Sequence, residues 1–299
     1  MTLRERYRGV MLGLAVGDAL GVPAEFQERG TFPKITEMIG GGPFRLNPGE
    51  WTDDTTMSLI EYGGFNPADQ MNKYWEWIEL GYMSSNGRMF DIGDTTSEAL
   101  CEFRKTGNVY AGIDDHKKAG NGSLMRLAPI PLFFEHDVAA RKFAANMSAT
   151  THGAKACIAS CVFLTHIIHK ALRGLPKEQI LTIDDPTNWF SKLDVDIHRN
   201  IAYGDYKNKT EDQIKSTGYV IHTLEAALWC FYNTDTFEDG LIKAVNLGHD
   251  SDTTGAVYGQ LAGAYYGAEA IPQRWLDKIV KRDIIITVAD NLFDNRPCN

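Results

Sequence analysis

The alternation of apolar and polar positions along this chain is that of a protein built mainly from helices. Apolar residues recur at intervals of three and four over long segments, and Gly, Pro, Asn and Asp cluster between those segments, as they do in loops. No series of alternating strands with hairpin turns is visible. The periodicity predicts helices over residues 2–21, 54–64, 68–80, 95–106, 123–134, 138–149, 153–173, 215–233, 236–247, 253–267 and 272–293.

The sequence contains no low-complexity linker and no clear domain boundary. Its 299 residues allow one large domain or two smaller ones. The stretch from about 181 to 214 is polar and aperiodic, and it is interpreted as a helical insertion with long loops rather than a separate domain.

Two of the predicted helices carry a glycine at every fourth position. These glycines are Gly9, Gly13, Gly17 and Gly21 in the first helix and Gly255, Gly259, Gly263 and Gly267 in the second. This spacing places all four close to one helix face. Each glycine costs about 1 kcal/mol relative to alanine inside a helix, so a compensating gain is needed. We expect that gain to be a close approach of helix backbones, which would hold the ends near Asp18, Glu25 and Asp252 rigidly.

Composition and charge narrow the functional classes. The hydrophobic content of 43% is enough for a large core. The formal charge is -9, so the general basic surface of a nucleic-acid-binding protein is absent. The five cysteines form no CxxC pair, which argues against a disulfide framework and favours a reducing compartment. The apolar run from Val10 to Val22 is interrupted by Asp18 and is too short to span a bilayer. We therefore expect a cytoplasmic protein without a membrane span.

Two acidic clusters are the main candidate for chemistry. Thr52-Asp53-Asp54 and Asp250-Ser251-Asp252-Thr253 each combine two carboxylates with hydroxyl groups where a loop enters a predicted helix. Adjacent unpaired carboxylates repel each other, and hard divalent ions prefer such oxygen ligands. Helix capping explains either cluster taken alone, because Asp and Thr are favoured at helix N-termini. Two similar clusters, each richer in carboxylates than a cap requires, favour a binuclear Mg²⁺ or Mn²⁺ site over capping and over a calcium loop.

At these residues the chain resembles the ADP-ribosylglycohydrolase family, and most closely its bacterial branch typified by dinitrogenase reductase-activating glycohydrolase. The resemblance runs from Gly9 to about Gly267, and six motifs in the same order make it specific. In chain order they are Gly13–Gly21 with Glu25, Trp51–Thr56, Asp91–Gly93 with Thr95 and Thr96, Gly120–Arg126, Thr151–Gly153 and Leu247–Thr253.

The resemblance implies a fold, a cofactor and an activity. The fold would be an all-α, compact single-domain orthogonal helical bundle spanning residues 1–299. The cofactor would be two divalent ions, Mg²⁺ or Mn²⁺. The implied metal ligands are Thr52, Asp53, Asp54, Asp250, Asp252 and Thr253. The implied activity is hydrolysis of the bond at C1″ of ADP-ribose, with arginine of a protein (such as dinitrogenase reductase) or a small guanidine as the usual acceptor.

Proton transfer and substrate binding need further residues. The resemblance places a catalytic aspartate at Asp91, and Glu25 is the second candidate; a turn residue and a surface charge are their alternatives. Asp18 is assigned to structural hydrogen bonding. The candidate substrate-binding residues are Asn121, Gly122, Ser123, Met125, His152 and Tyr219. The first four lie at a predicted helix start, which would supply N–H groups to phosphate. His152 lies at another predicted helix start and would contact the ligand, and Tyr219 would stack on adenine or ribose.

Several alternatives remain open at this point. Arg126 either adds charge to a phosphate site or pairs with an acidic neighbour. His249 stands where family members often carry glycine, so it either narrows the pocket or points away, which puts the acceptor preference in doubt. Two competing functions stay open. One is a non-catalytic ADP-ribose-binding protein, and the other is a metal-dependent His-Asp phosphohydrolase, suggested by His249-Asp250 with His152, His166 and His169 as the further histidines.

Overall fold

The structure, a computed structural model, describes residues 1–60, 65–183 and 197–297, and it confirms the all-α prediction. Within these residues there is no β-strand, only two isolated bridges, Gly41–Leu46 and Gly120–Tyr219. The α-helices are α1 Leu3–Gly21, α2 Asp53–Leu59, α3 Pro67–Leu80, α4 Asp94–Thr106, α5 Pro129–Phe133, α6 Asp137–Thr151, α7 Lys155–Leu172, α8 Lys177–Ile180, α9 Val220–Tyr232, α10 Phe237–Val245, α11 Ser251–Tyr266, α12 Gln273–Leu276 and α13 Arg282–Asp294.

Three of the predicted helices are wrong in part. Residues 123–128 are not α-helical, and only Pro129–Phe133 of the predicted 123–134 helix forms, because the preceding segment folds into turns closed by Asn121. The predicted 215–233 helix begins only at Val220. The predicted 272–293 helix is broken before Arg282, where Lys281 adopts a left-handed backbone with φ 53°.

Parts of two further predictions lie outside the described residues. These are positions 61–64 at the end of the predicted 54–64 helix and positions 184–196 of the polar stretch. The described remainder of that stretch forms short helical turns, namely Ile197–Ala202, Asp205–Asn208 and Glu211–Gln213.

The glycine stripes of α1 and α11 face each other, as the spacing predicts. Going up α1 and down α11, Gly9 faces Gly263, Gly13 faces Gly259 and Gly17 faces Gly255, so the two helices are antiparallel. A Cβ atom added at any of these glycines would lie within 3.0 Å of a backbone atom of the opposite helix. At the end of the contact the Ser251 hydroxyl donates to the carbonyl of Gly21 at 2.7 Å. The start of α11 is thereby held against the end of α1.

The core of the protein forms around these two helices. α1 and α11 are buried along most of their length, and α7, α9, α10 and α13 pack around them. α7 is long and apolar enough to cross a membrane by length and composition, but 78% of it is buried inside the protein, as in a core helix.

Candidate active site

Asp18 of α1 positions the first acidic cluster. Its carboxylate accepts hydrogen bonds from the backbone N–H of Thr52 at 2.9 Å and from the N–H and hydroxyl of Thr55 at 3.0 and 2.6 Å. Thr52 is also the N-cap of α2, and its hydroxyl oxygen accepts from the N–H of Asp54. Asp18 therefore has the structural role that the sequence predicts, and the capping explanation is correct for Thr52.

The capping explanation fails for the second cluster. Asp250 precedes α11 but its side chain caps no N–H group; it accepts instead from the side-chain amide of Asn121 at 2.8 Å. The Thr253 hydroxyl lies 3.4 Å from the Asp54 carboxylate and donates to it, so the two clusters meet. The packing of α1 on α11 brings them together, because Asp18 holds one cluster and α11 carries the other.

The clusters line a cavity of about 230 Å³ that is dominated by carboxyl groups. Seven lining residues are carboxylates: Glu25, Asp53, Asp54, Asp91, Asp94, Asp250 and Asp252. Among the described residues that line it there is no lysine or arginine. The remaining wall consists of neutral groups, including Gly120, Asn121, Gly122, Met125 and His152. An anionic substrate therefore needs an added cation to enter this cavity.

Three buried carboxylate oxygens in the cavity have no hydrogen-bond partner within the described part of the chain. They are Glu25 Oε2, Asp54 Oδ1 and Asp252 Oδ1. Glu25, Asp91 and Asp252 each offer an oxygen within 4.8 Å of the others. Burial, followed by repulsion from neighbouring carboxylates, raises the pKa values of Asp53, Asp54 and Asp252 well above the ordinary range. Buried carboxylates without partners are strongly unfavourable unless they bind protons or cations.

These observations fit a divalent metal site. Hard divalent ions take several carboxylate oxygens as ligands, and the three residues that carry the unpartnered oxygens all line the common cavity. The structure thus contains an acidic group that could hold a metal ion.

The backbone is strained at the rim of the cavity. Phe26, Asp91 and His249 adopt left-handed φ values of 61°, 59° and 55°. Such conformations cost of the order of 1–3 kcal/mol for a non-glycine residue and are retained at functional sites. At Asp91 the strained turn carries its carboxylate to the cavity, beside Glu25 and Asp252.

His152 is a neutral hydrogen-bonding group of the cavity wall. Arg126 donates to the Thr151 hydroxyl oxygen at 2.7 Å, and that hydroxyl lies 2.8 Å from His152 Nδ1. Burial, together with the charge of Arg126, lowers the pKa of His152 to about 3. An imidazole that accepts at Nδ1 carries its proton on Nε2, and the Nε2 side of the ring lies beside Gly122. In the tautomer in which Nδ1 accepts from the Thr151 hydroxyl, His152 offers an Nε2 donor next to the glycine loop.

The local setting of two substrate-binding candidates differs from the prediction. His152 follows the end of α6 rather than beginning a helix, and its N–H bonds to Ser148. The Gly120–Ser123 loop is not followed by an α-helix, so the predicted helix N-terminus for phosphate is absent there. Proline at positions 129 and 131 and the bond from Arg126 to the carbonyl of Gly122 favour turns instead.

Several predicted residues lie away from the cavity. The Ser123 hydroxyl is buried against Ser148, and Tyr219 precedes α9 with its ring on His222. Arg126 is fully buried and contacts the face of Tyr74. Among the described residues it does not line the cavity, and no carboxylate forms an ion pair with it. Thr52 is buried behind Asp54, and His249 lines a neighbouring pocket.

The cavity also contains residues that sequence reasoning missed. Phe26 and Asp94 both line it, and Phe26 is 70% exposed at the rim. Their adjacency to Glu25 and to the Asp91–Gly93 motif was the available signal. Periodicity did not single them out, because both lie where a loop meets a helical turn.

Without divalent ions, the unfolding temperature is expected to fall by a few degrees as the pH rises from about 6.5 to about 9. Burial raises the pKa of Asp91 to about 7 and that of Glu25 to about 9, so the folded protein binds more protons than the unfolded chain in this window. Stability therefore decreases as these protons are lost. Buried His152 acts in the opposite direction, but only below its unfolded pKa.

Thermal unfolding in a chelator across this pH range tests the expectation. Added Mg²⁺ or Mn²⁺ should raise the unfolding temperature most at the alkaline end, and the Asp91→Asn, Glu25→Gln double variant should flatten the slope. A chelated wild type whose unfolding temperature rises with pH would contradict it.

Comparisons with known proteins identify the family of this chain. A family model described as ADP-ribosylglycohydrolase matches residues 1–299. The chain is 40% identical to ADP-ribosylarginine hydrolase Tri1 of Pseudomonas putida, over 98% of this chain and 79% of that protein. It is 32% identical to ADP-ribosyl-[dinitrogen reductase] glycohydrolase of Rhodospirillum rubrum, over 95% and 94% of the two chains.

A solved structure supports the same assignment. It is described as an ADP-ribosylglycohydrolase-related protein complex and aligns with a TM-score of 0.87 and 41% identity, covering 99% of each chain. With the fold, the acidic cavity and these relatives taken together, the chain belongs to the ADP-ribosylglycohydrolase family and is a glycosyl hydrolase of that family.

Proposed function

We propose that this enzyme is a metal-dependent ADP-ribosylarginine hydrolase. It would cleave the N-glycosidic bond between C1″ of ADP-ribose and the guanidine nitrogen of a modified arginine, in a protein or a small guanidine. The relatives at 40% and 32% identity carry names that specify ADP-ribosylarginine and ADP-ribosylated dinitrogen reductase.

The observation that carries the proposal is the charge of the cavity. Seven carboxylates and no described lysine or arginine line it. An ADP-ribosylated guanidine keeps its positive charge, so it is attracted to carboxylates that a serine or acetyl ester linkage would not need. The diphosphate, in contrast, requires cations or neutral N–H donors. A cavity whose lining combines carboxylates with glycine, amide and imidazole groups suits both ends of such a substrate.

Two divalent ions, Mg²⁺ or Mn²⁺, are proposed as cofactors. The residues that would hold them are Thr52, Asp53, Asp54, Asp250, Asp252 and Thr253, whose carboxylates and hydroxyls are hard oxygen ligands. When bound, such ions supply positive charge that polarises water and the ribose hydroxyls. Asp18 keeps the Thr52–Asp54 segment in position from behind through its three hydrogen bonds.

Asp91 is the proposed proton-transfer residue, with Glu25 as its partner. Breaking the C1″–N bond returns the electron pair to the guanidine nitrogen and leaves positive charge on the sugar, which nearby carboxylates stabilise. Water adds to C1″ and loses a proton to a carboxylate, and that proton passes to the departing guanidine. Asp91 and Glu25 have oxygens within 4.8 Å of each other and of Asp252, a geometry suited to this transfer.

The ADP-ribose moiety is proposed to lie along the Gly120–Met125 wall. The N–H group of Gly122, the side chain of Met125 and the ring of His152 would contact it. Asn121 stays a candidate through van der Waals contact, because its backbone N–H donates to the carbonyl of Gly218 and its side-chain amide donates to Thr223 and Asp250. Ser123 can contribute only through its backbone, because its hydroxyl bonds to Ser148. Tyr219 stays a candidate for stacking outside the cavity lining. The cysteines of the described chain, including buried Cys157 and Cys161, form no disulfide bond with one another, which is consistent with the proposed cytoplasmic location.

Purified enzyme is expected to release ADP-ribose from ADP-ribosyl-arginine only with Mg²⁺ or Mn²⁺. A panel of arginine, serine, O-acetyl and nucleic-acid linkages, assayed with each metal and with chelator, should show the highest kcat/KM for arginine. Equal or faster cleavage of another linkage would contradict the arginine assignment, and activity in chelator would contradict the metal requirement.

The two competing functions predict other results. A non-catalytic ADP-ribose-binding protein would bind free ADP-ribose but release none from any linkage. A His-Asp phosphohydrolase would hydrolyse a phosphomonoester in preference. The described part of this protein does not bring the three histidines to one site. His166 and His169 contact Asp137, whereas His152 lines the acidic cavity.

A further inference from the structure

A cationic pocket adjoins the acidic cavity on its Glu25 side. It is lined by Arg29, Lys215, Thr217, His222 and His249, with Asp212 as its one acidic member among the described lining residues. The chain as a whole carries a formal charge of -9. The basic side chains of this pocket therefore have the opposite charge to the seven carboxylates of the neighbouring cavity.

The pocket and the cavity share a wall. His249 immediately precedes Asp250, whose N–H donates to the carbonyl of Ser216 at 2.9 Å. The N–H of Phe26 donates to the carbonyl of His249 at 2.6 Å, and the N–H of His249 donates to Gln27 at the same distance. The strained His249 turn is thereby joined to the segment that carries Glu25. The pocket thus adjoins the proton-transfer end of the site.

The positive charge of Arg29 is held in place, and no carboxylate of the described residues forms an ion pair with it. The Arg29 guanidinium donates to three backbone carbonyls, those of Leu247 at 3.2 Å, Ile214 at 2.6 Å and Glu211. Carbonyl oxygens satisfy its N–H groups without cancelling its charge. The side-chain carboxylate of Glu211 pairs with Lys243, so Glu211 contacts Arg29 only through its backbone carbonyl. Burial lowers the pKa of His222, and the nearby charges of Lys215 and Lys209 lower it further.

We propose that this pocket docks acidic side chains that flank the modified arginine of an acceptor protein. This inference rests on the proposed arginine specificity. An acceptor segment would place its cationic ADP-ribosyl-guanidine among the carboxylates of the cavity and a neighbouring Asp or Glu against Arg29, Lys215 and His249. Without such a pocket, an acidic acceptor would be repelled by the net negative charge of the enzyme.

The test compares two ADP-ribosylated arginine peptides that differ only in their flanking residues. One carries Asp and Glu beside the arginine and the other carries Asn and Gln; free ADP-ribosyl-arginine is the third substrate. The wild type is expected to prefer the acidic peptide at low salt by about tenfold in kcat/KM, and the preference should shrink as salt rises.

Charge reversal at Lys215, or loss of the His249 imidazole, should weaken this preference. Lys215→Glu and His249→Asn, which keeps a residue tolerant of the left-handed backbone, are expected to reduce kcat/KM for the acidic peptide about tenfold more than for free ADP-ribosyl-arginine. Lys105→Ala, an exposed lysine near the end of α4, is the matched control and should change neither. Equal losses on the free substrate would overturn the proposal, because the pocket would then hold the phosphates of ADP-ribose.

A binding measurement separates this proposal from the reaction. Fluorescence anisotropy with labelled, unmodified acidic and neutral peptides reports docking without hydrolysis. Weaker binding of the acidic peptide by Lys215→Glu supports the docking surface even if no arginine linkage is cleaved. Identical affinity of the wild type for both peptides, together with equal kcat/KM values for their ADP-ribosylated forms, would overturn it.

Discussion

Gly259→Ala is expected to destabilise the fold by about 3–5 kcal/mol, a large share of the stability of a typical protein. The new Cβ would collide with the backbone of Gly13, and a carbonyl in a packed helix cannot move aside as a flexible side chain can. Alanine would regain only about 1 kcal/mol of helix propensity. The loss should therefore greatly exceed the gain, and α1 would separate from α11.

Chemical denaturation measures this effect, and Gly93→Ala is the matched control. Gly93 has an ordinary backbone conformation and no heavy atom within 4 Å of an added Cβ, so a change of less than about 1 kcal/mol is expected there. If Gly259→Ala gives too little folded protein to denature, soluble yield relative to Gly93→Ala replaces the titration. A Gly259→Ala protein as stable as the wild type would show that close helix contact is not required.

Asp54→Asn and Asp252→Asn are each expected to reduce kcat by about a thousandfold or more, which is at least about 4 kcal/mol of transition-state stabilisation. Each substitution keeps the size of the side chain but replaces a carboxylate with a neutral amide. In both residues the Oδ1 atom of that carboxylate has no hydrogen-bond partner in the described chain. Metal affinity should fall with activity, since the lost group is a proposed ligand.

The same variants should be at least as stable as the wild type when no metal is present. Burial and neighbouring carboxylates raise the pKa values of both residues, so neutralising either one relieves repulsion. Calorimetry with Mn²⁺ and thermal unfolding in chelator measure the two effects, with exposed Asp114→Asn as the control. Loss of activity through simple unfolding would contradict the assignment.

Asp91→Asn distinguishes a proton-transfer residue from a metal ligand. If Asp91 transfers the proton, its variant should lose activity while retaining most of its metal affinity, and the alkaline or acid limb of the pH–rate profile should change. If metal affinity falls as far as in Asp252→Asn, Asp91 is a ligand. Its oxygen lies within 4.8 Å of the Asp252 oxygen, so the comparison of these two variants is direct.

Local sequence patterns predicted most of the helices, the contact between α1 and α11 and the two acidic clusters. The apolar periodicity predicted most helices with ends within a few residues, because helix formation depends on neighbours three and four positions apart. The glycine spacing predicted the close contact of α1 and α11 for the same reason. The two acidic clusters could be recognised in the sequence because their members are adjacent. The sequence also predicted a structural role for Asp18, although it did not identify Thr52 and Thr55 as the hydrogen-bond partners.

Tertiary structure decided the arrangement of the site. Glu25, Asp91 and Asp252 are far apart in sequence, and only the packing of α1 on α11 and the strained turn at Asp91 place their oxygens in one group. The loop after Gly120 looked like a helix start, yet Arg126 and two prolines turn it into a non-helical wall. The cationic pocket around His249 was invisible in the sequence. Its members come from three separate segments, and their meeting depends on long-range hydrogen bonds rather than on any local pattern.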